Sequence, residues 1–558
     1  MSISALHPLT PSSDSLSGFS FPLPGEKRFS LTQATLGWWQ NQYQRAVVAL
    51  RKCEVELAAS RRFHQDALQR EQQLQERIKE LEAKLRQREK ELFGRRSEQP
   101  KGQNESTSSP SSTKRARGQQ KHNPAPKPRE HSHLPAHEEF VDLAKEQKNC
   151  FSCGLPFVEF HSSEDSEAIE VEVKAHRRVI RRKRYKKSCQ CPATPTFRTA
   201  EVAPKLIPKS LYGISVWVEV LLSKYLYHQP TYRFIRQWEA QSLFLSQSTI
   251  TGGLQRILPL LEPIYEAMVE RQLSERHWHA DETRWMVFEP IENKNSSRWY
   301  LWVVHSASAV IYILDPSRSA QVIKEPFGEN SQGILSVERY SAYKAMAKVL
   351  DIILAFCWAH VRRDFLKIAS SWAEHEAWAL AWVAEIGALY HLNKTRLQFN
   401  PNTPQYSAAD FKLRGAVKAM EKQCEQQLQQ ETLPALQEAL LQSLKNHWLG
   451  LTLFVKYPHI PMDNNTAERD IRPTVIGRKN YFGSGSVWSG TLAALSFSLT
   501  QTLLLHQINP HPWFNDYFKA CAQAGGNVPH NYLDFLPWNL TAEKKVKWAC
   551  TPAINDSS

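Results

Sequence analysis

The chain has 558 residues, is 42% hydrophobic and carries a formal net charge of +14, which permits roughly three or four domains with a sizeable core and favours a polyanionic partner, nucleic acid before an anionic membrane surface. No apolar run reaches about 18 residues, since Ser496, Ser498, Thr500 and Gln501 break Leu492–Leu505, and the opening MSISALHPLTPSSDSL has neither a basic start nor an apolar stretch. The nine cysteines, an odd number, read as reduced thiols or metal ligands and exclude a disulfide framework.

Residues 1–32, rich in Ser, Pro and Leu, are expected to be disordered. Residues 33–93 predict one long helix. Leu74, Ile78, Leu81, Leu85 and Leu92 recur at three- to four-residue spacing, flanked by Glu80, Lys84, Glu89 and Lys90. So narrow a stripe suits a coiled-coil seam and a homo-oligomer, although it could also pack on its own chain. Gly94 ends the helix, and residues 94–136 form a basic, low-complexity linker unable to bury enough surface to fold. Residues 137–200 form a small cysteine-containing unit with a strand at Ile169–Val173. Residues 201–275 read as helical, with breaks at Pro230 and Gly252–Gly253. Residues 276–507 alternate strands and helices, with a helical insertion at about 366–455 and a polar motif followed by a helix at 458–507. The tail, 508–558, reads as irregular or mixed. The fold class is α/β, with a central mixed sheet between helices.

Two cysteine pairs, Cys150-Phe-Ser-Cys153 and Cys189-Gln-Cys191, are spaced so that four thiolates can surround one tetrahedral Zn²⁺. That would supply folding energy to a unit too small for its own core. Arg181, Arg182, Lys183 and Arg184 lie between the pairs and point to phosphate contact. Four free thiols beside a solvated basic strand is the plainer alternative.

Asp281 falls inside a strand-like run, where a carboxylate needs a reason. Glu338 closes a later strand, and Glu468 lies in the first or second turn of a helix that Asp463 or Asn464 can cap. Three such acids brought together repel one another and raise some pKa values. Mg²⁺ or Mn²⁺ would remove the repulsion, accept phosphate oxygens and serve phosphoryl transfer. Separately, each acid could be a surface or salt-bridged group. Arg472 follows Glu468 by one turn, so it could pair with that acid or clamp phosphate together with Arg469, Arg478 and Lys479.

These residues sit in ordered motifs: Leu92-Phe-Gly-Arg-Arg-Ser-Glu98, the cysteine pairs, Leu206-Ile-Pro-Lys-Ser210, Ser223-Lys-Tyr225, His228-Gln-Pro-Thr-Tyr232-Arg233, Leu245-Ser-Gln-Ser-Thr249, His279-Ala-Asp-Glu-Thr283, Cys357-Trp-Ala-His360 with Arg362-Arg363, Asp463-Asn-Asn465 with Glu468-Arg469 and Arg472-Pro473, Gly477-Arg-Lys-Asn480, and Leu536-Pro-Trp-Asn539. In these the chain resembles the IS66-type transposases, DDE enzymes of bacterial insertion sequences, over nearly everything after residue 70. The resemblance implies an RNase H-like catalytic domain preceded by a helical DNA-binding region. It implies Asp281, Glu338 and Glu468 as the catalytic, metal-binding acids, and a role at the site for His360. It also implies transposon-end and target DNA as partners, accessory proteins of the same element, and a bacterial cytoplasmic location, nucleoid-associated on DNA. The departure is at the second acid. The family pattern is Asp followed by Gly-Tyr-x-x-Tyr, and here it is Glu338-Arg339-Tyr340-Ser-Ala-Tyr343. One added methylene is roughly 1.5 Å of reach, and a misplacement of about 1 Å can cost on the order of 100-fold in rate. Arg339 is also expected to bring a cation beside the site. A catalytically impaired DNA-binding remnant is therefore the alternative function, with Asp351 as a conceivable substitute ligand.

Overall fold

A computed structural model describes residues 33–93, 142, 144–149, 151–157, 174–186, 188, 192–193, 195–292, 296–319, 322, 332–347 and 350–550. The readings for 1–32, for 94–136, for the strand at Ile169–Val173 and for Cys150, Cys189 and Cys191 lie outside these residues. The chain divides into two compact units, residues 1–97 with 367–379, and residues 98–366 with 380–558. In the first, helix α1 runs Gln33–Phe93 with its described apolar side chains, Leu74, Ile78, Leu81 and Leu85 among them, largely exposed. Arg86 Nη2 donates to the Ser371 carbonyl at 2.9 Å.

The second unit begins with two short antiparallel strands, β1 (Arg184–Lys186) and β2 (Phe197–Thr199). Then come helices α2 (Ile214–Tyr225), α3 (Thr231–Glu239) and α4 (Gln247–Leu273). Pro230 starts α3, as a residue lacking an N–H can at a helix N-terminus. Gly252–Gly253 is not a break: both lie inside α4. A Cβ on Gly253 would come within 2.0 Å of the Trp217 ring, so this glycine is what lets α2 and α4 approach.

Among the described residues the sheet has six strands: β3 (His277–Val287), β4 (Arg298–His305), β5 (Val310–Asp315), β6 (Gly333–Val337), β7 (Ile352–Phe356) and the two-residue β8 (Gly483–Ser484). Their order is β5-β4-β3-β6-β7. The first three are antiparallel, β6 and β7 join in parallel, and β8 adds in parallel to the far end of β3. Helix α5 (Ser341–Ala347) joins β6 to β7, and α6 (Trp358–Ser371) follows β7. The period-two alternation of a strand puts successive side chains on opposite faces. Trp285, Val287, Leu301 and Val303 go to one core with α2, α4 and later helices. Trp278, Ala280, Trp302 and Val304 go to the other with Tyr343 of α5.

The insertion is helical, as expected: α7 (Glu376–Arg396), α8 (Pro404–Leu428) and α9 (Ala435–Leu451). After it, two helices stand where the sequence indicated one, α10 (Asn465–Tyr481) and α11 (Val487–Leu505), separated by β8. Phe482, at φ 64°, and Gly483, at φ 149°, make the reversal between them. The hydroxyls in apolar α11 have a defined task. Ser498 Oγ accepts from the Tyr312 N–H at 2.8 Å and Thr502 Oγ1 from the Val310 N–H at 2.9 Å, satisfying the outer edge of β5. No helix among the described residues is long and apolar enough to cross a membrane. The tail is ordered as α12 (Pro510–Gln523), and Trp513, Phe514, Tyr517 and Phe518 are buried in the larger core.

Candidate active site

β3 changes partner along its length. His277, Trp278 and His279 pair with β6, whereas Met286 and Val287 pair with β8. Between these pairings that edge of β3 has no strand beside it among the described residues. Asp281 lies in this gap. Strands that part company leave a crevice at their carboxyl ends, and Glu338, one residue beyond β6, opens into it. α10 crosses β3 and supplies Glu468 from its first turn.

The helix start is fastened to the sheet through Asn464. Its side chain does not cap α10. Its Oδ1 lies 3.0 Å from His279 Nδ1, and its Nδ2 donates to the Ala280 carbonyl at 2.8 Å. Asp463 takes part of the capping role, with Oδ1 accepting from the Asn465 N–H at 3.2 Å. α6 is fixed to the same loop: Trp358 N–H donates to the Met462 carbonyl at 2.9 Å, and its indole N–H to the Leu451 carbonyl at 2.7 Å. This directs His360, in the first turn of α6, between two acids. Its Nε2 is 2.8 Å from Glu338 Oε1 and its Nδ1 is 3.7 Å from Glu468 Oε1.

The electrostatics follow. Burial, then the nearby charges of Glu338 and Glu282, and also of Glu468, push the Asp281 carboxyl up to about 8, against one opposing hydrogen bond from the Glu282 N–H. Burial works on Glu338 in the same direction. The hydrogen bond and charge of His360, with the guanidinium groups of Arg363 and Arg318, outweigh it and hold Glu338 below the ordinary carboxylate value. Burial opposes charging of His360, but hydrogen bonds to Cys357 and Glu338 raise it to about 10. His360 therefore faces two acids, with Arg363 Nη1 also 2.8 Å from its Nε2.

Two sets of donors could hold a cation. Cys357 Sγ, a His360 nitrogen and a Glu468 oxygen lie within 4.8 Å of one another. In that set His360 Nε2 already faces Glu338 and Arg363, and the Cys357 sulfur already accepts from the Asn464 N–H at 3.3 Å. The carboxylates of Asp281, Glu338 and Glu468 do not come within that spacing of one another, although Asp281 feels the charges of the other two. Glu468 Oε1 is buried without a hydrogen-bond partner, and Asp281 is destabilised as an anion by its neighbours. A hard divalent cation with oxygen ligands corrects both faults.

Other residues named from sequence fall as follows. Arg469, Arg472 and Lys479 are exposed along α10. Arg472 does not pair with Glu468, whose ion-pair partner is His360. Arg478 is engaged, donating to Thr283 Oγ1 at 3.0 Å and to the Arg284 carbonyl. Arg339 does not add its charge to the acids: it pairs with Asp364 and donates to Ser443 Oγ at 3.0 Å. Asp351 precedes β7 at the end that pairs with Gly333. That is about 16 Å of strand away from Glu338 at 3.3 Å per residue, so Asp351 cannot replace it. Arg181, Arg182, Lys183 and Arg184 are exposed, with Arg182 donating to the Ala200 carbonyl at 3.2 Å and Arg184 over the Phe197 ring. Cys153 is exposed in a turn closed by the Asn149–Pro156 bridge.

Sequence reasoning missed Glu282 and its partners. Glu282 points to the other face of β3, where Tyr343 O–H donates to its Oε2 at 2.6 Å and Arg318 pairs with Oε1. It also missed the pairing of Asn464 with His279, whose only signal was the presence of both in polar motifs.

A family model described as the transposase IS66 family matches residues 209–492, just over half of the chain. Among curated relatives, the uncharacterized protein y4jD of Sinorhizobium fredii is 25% identical over 441 residues, 74% of this chain and 81% of its own length. The uncharacterized proteins y4hP and y4qI of the same organism are 22% identical over 416 residues (70% and 73%) and 26% identical over 343 residues (58% and 61%).

Proposed function

Because the chain belongs to the IS66 family of transposases, we propose that it binds transposon-end DNA, cleaves it in a metal-dependent reaction and joins the freed 3′-hydroxyl to target DNA. What supports this reading is that Asp281 lies within electrostatic reach of Glu338 and Glu468, and that His360 stands between the latter two. The strand order, three antiparallel strands followed by two parallel ones, supports an RNase H-like sheet for the catalytic region.

Asp281, Glu338 and Glu468 would hold Mg²⁺ or Mn²⁺. When bound, the cations supply charge stabilisation at the attacking and leaving oxygens of the phosphodiester. His360 positions the Glu338 carboxylate. Arg469 and Arg472, exposed near Glu468, clamp backbone phosphates, and Lys479 extends that contact along the helix. Arg478 stays on β3 and holds the last turn of α10 in place. Arg181, Arg182, Lys183 and Arg184 add sequence-independent phosphate contact from a unit that Cys150, Cys153, Cys189 and Cys191 would staple with Zn²⁺. The exposed apolar side chains of α1 support a coiled coil between copies. Accessory proteins of the same element and a cytoplasmic location remain with this reading.

The experiment is a cleavage and strand-transfer assay on labelled element ends with Mg²⁺ or Mn²⁺. Wild type should cleave, and Asp281→Asn and Glu468→Gln should each lose on the order of 1000-fold. Cleavage that survives both substitutions would refute the acid assignment. The second reading, an impaired DNA-binding remnant, rests on Glu338 standing where the family pattern has Asp. In that case wild type binds ends without cutting, and Glu338→Asp gains cleavage.

A further inference from the structure

Three sequence motifs that the acid cluster does not use, Ser223–Tyr225, His228–Arg233 and Leu245–Thr249, converge on one cavity of about 320 Å³. Its wall takes Lys224 and Tyr225 from the end of α2, Thr231 and Tyr232 from the start of α3, and Gln247 and Thr251 from α4. The last turn of α10 adds Tyr481, and the turn into α11 adds Gly485, Ser486, Trp488 and Ser489. Asn480 Nδ2 donates to the His228 carbonyl at 2.9 Å and ties the two sides together.

The chemistry of this wall is one-sided. Lys224 is the cation of the lining, and no carboxylate lies among the lining residues. Its ammonium sits 5.4 Å from the Tyr225 ring centre and 5.7 Å from that of Tyr481. Burial lowers its pKa to about 8. Buried ammonium groups are ordinarily paired with an acid, because an uncompensated charge in a low-dielectric site is costly. The hydroxyls of Tyr225 and Tyr481 also have no hydrogen-bond partner, but both oxygens are themselves buried, that of Tyr481 against Gly477. The N-terminus of α11 at the same wall is already satisfied: Ser486 and Ser489 form a capping box, and Glu289 Oε2 accepts from the Val487 N–H at 2.6 Å. A half-buried cation with no acid beside it in the wall selects an anion. The flat faces of Tyr232 and Trp488 at the same cavity suit a planar ring, and base–aromatic stacking tolerates any base.

We propose that this cavity seats one nucleotide of a DNA strand, with its phosphate on Lys224 and its base against Tyr232 or Trp488. The volume admits one nucleotide. Only the source of that nucleotide, a DNA strand, rests on the transposase reading.

The test is calorimetric titration of the full chain near pH 7 without divalent metal, using thymidine 5′-monophosphate, thymidine, inorganic phosphate and a short oligothymidylate. The monophosphate should bind saturably with Kd of about 1 mM or tighter. Phosphate should bind more weakly, and thymidine should lose about tenfold or more. Lys224→Gln should weaken the monophosphate about tenfold or more, and Lys224→Arg should recover most of that loss. Gly485→Leu adds an apolar side chain at the cavity wall, where a Cβ meets nothing within 4 Å. It should abolish binding while leaving the thermal midpoint in place, which keeps the test valid if Lys224→Gln fails to fold. Absence of saturable monophosphate binding, equal binding of thymidine, or insensitivity to both Lys224→Gln and Gly485→Leu would overturn the proposal. Failure of the oligothymidylate to compete would overturn the strand as source. The titration uses neither metal nor element ends, so it can fail while the cleavage reading stands, and cleavage can fail while the cavity stands.

Discussion

At its first turn α10 holds Glu468 among a surplus of buried negative charge, and at its last turn Tyr481 lines a cavity around a buried positive charge that no acid in the wall offsets. The two turns are thirteen residues apart, roughly 20 Å at 1.5 Å per residue. The acid end is partly offset by His360, Arg363 and Arg318 around Glu338, whereas Lys224 has no acid in its wall; the first suits a divalent cation at Asp281, the second a phosphate. A DNA strand on metal-bound acids would bring both. The contrast also shows in how the ends are built. The acid end is locked by Asn464, Trp358 and His360 through hydrogen bonds to strands and loops. The cavity end leaves Tyr225 and Tyr481 hydroxyls unpaired.

The largest expected effect separates the ends by activity. Glu468→Gln should lower cleavage on the order of 1000-fold and leave monophosphate binding at wild-type strength. An equal loss in both assays would mean that the ends are not independent.

Metal should sharpen the contrast next. At about 100 times its dissociation constant, Mg²⁺ should stabilise the wild type by about 2.7 kcal/mol. Asp281→Asn should lose most of this gain, and Lys224→Gln should keep it. Thermal melting with and without chelator reads the difference.

Loss of the lock at the acid end comes third. Asn464→Ala leaves the Ala280 carbonyl and His279 without their partner, at a cost of about 1–3 kcal/mol. Denaturant unfolding should show it, and an unchanged midpoint would mean that the helix start is held by other contacts.

The smallest effects are opposite slopes with pH in chelator. Asp281 keeps its proton to about 8 when folded, against 3.8 when unfolded. The folded state then binds the extra proton, so stability falls as pH rises from about 4 to 8. Lys224 titrates near 8 when folded and 10.5 when unfolded. There the unfolded state binds the extra proton, so stability rises from about pH 8 to 10.5. Asp281→Asn should flatten the first limb and Lys224→Gln the second. A limb that survives its own substitution would assign the slope to other groups.

The local signals in the sequence determined a good deal. Short runs of apolar and aromatic residues marked β3, β4 and β5, and long Leu- and Ala-rich stretches marked the helical insertion. The polar segments around Asp281 and Glu468 stood out because acids in apolar surroundings need a reason. Other readings failed for want of a neighbour. Gly252–Gly253 looked like a break until Trp217 supplied the packing that a Cβ would prevent. Arg339 looked like a site cation until Asp364 and Ser443 took its donors.

Composition, periodicity and motif spacing are properties of neighbours along the chain, so they were enough for the α/β class and for the acids worth watching. Whether residues 281, 338 and 468 share a site, and whether Lys224 has an acid to pair with, depends on atoms hundreds of residues apart. Only the splitting of the β3 edge between β6 and β8, and the crossing of α10 over it, bring the acids within electrostatic reach of one another, because charge–charge and hydrogen-bond energies fall off with distance in space and are blind to distance in sequence.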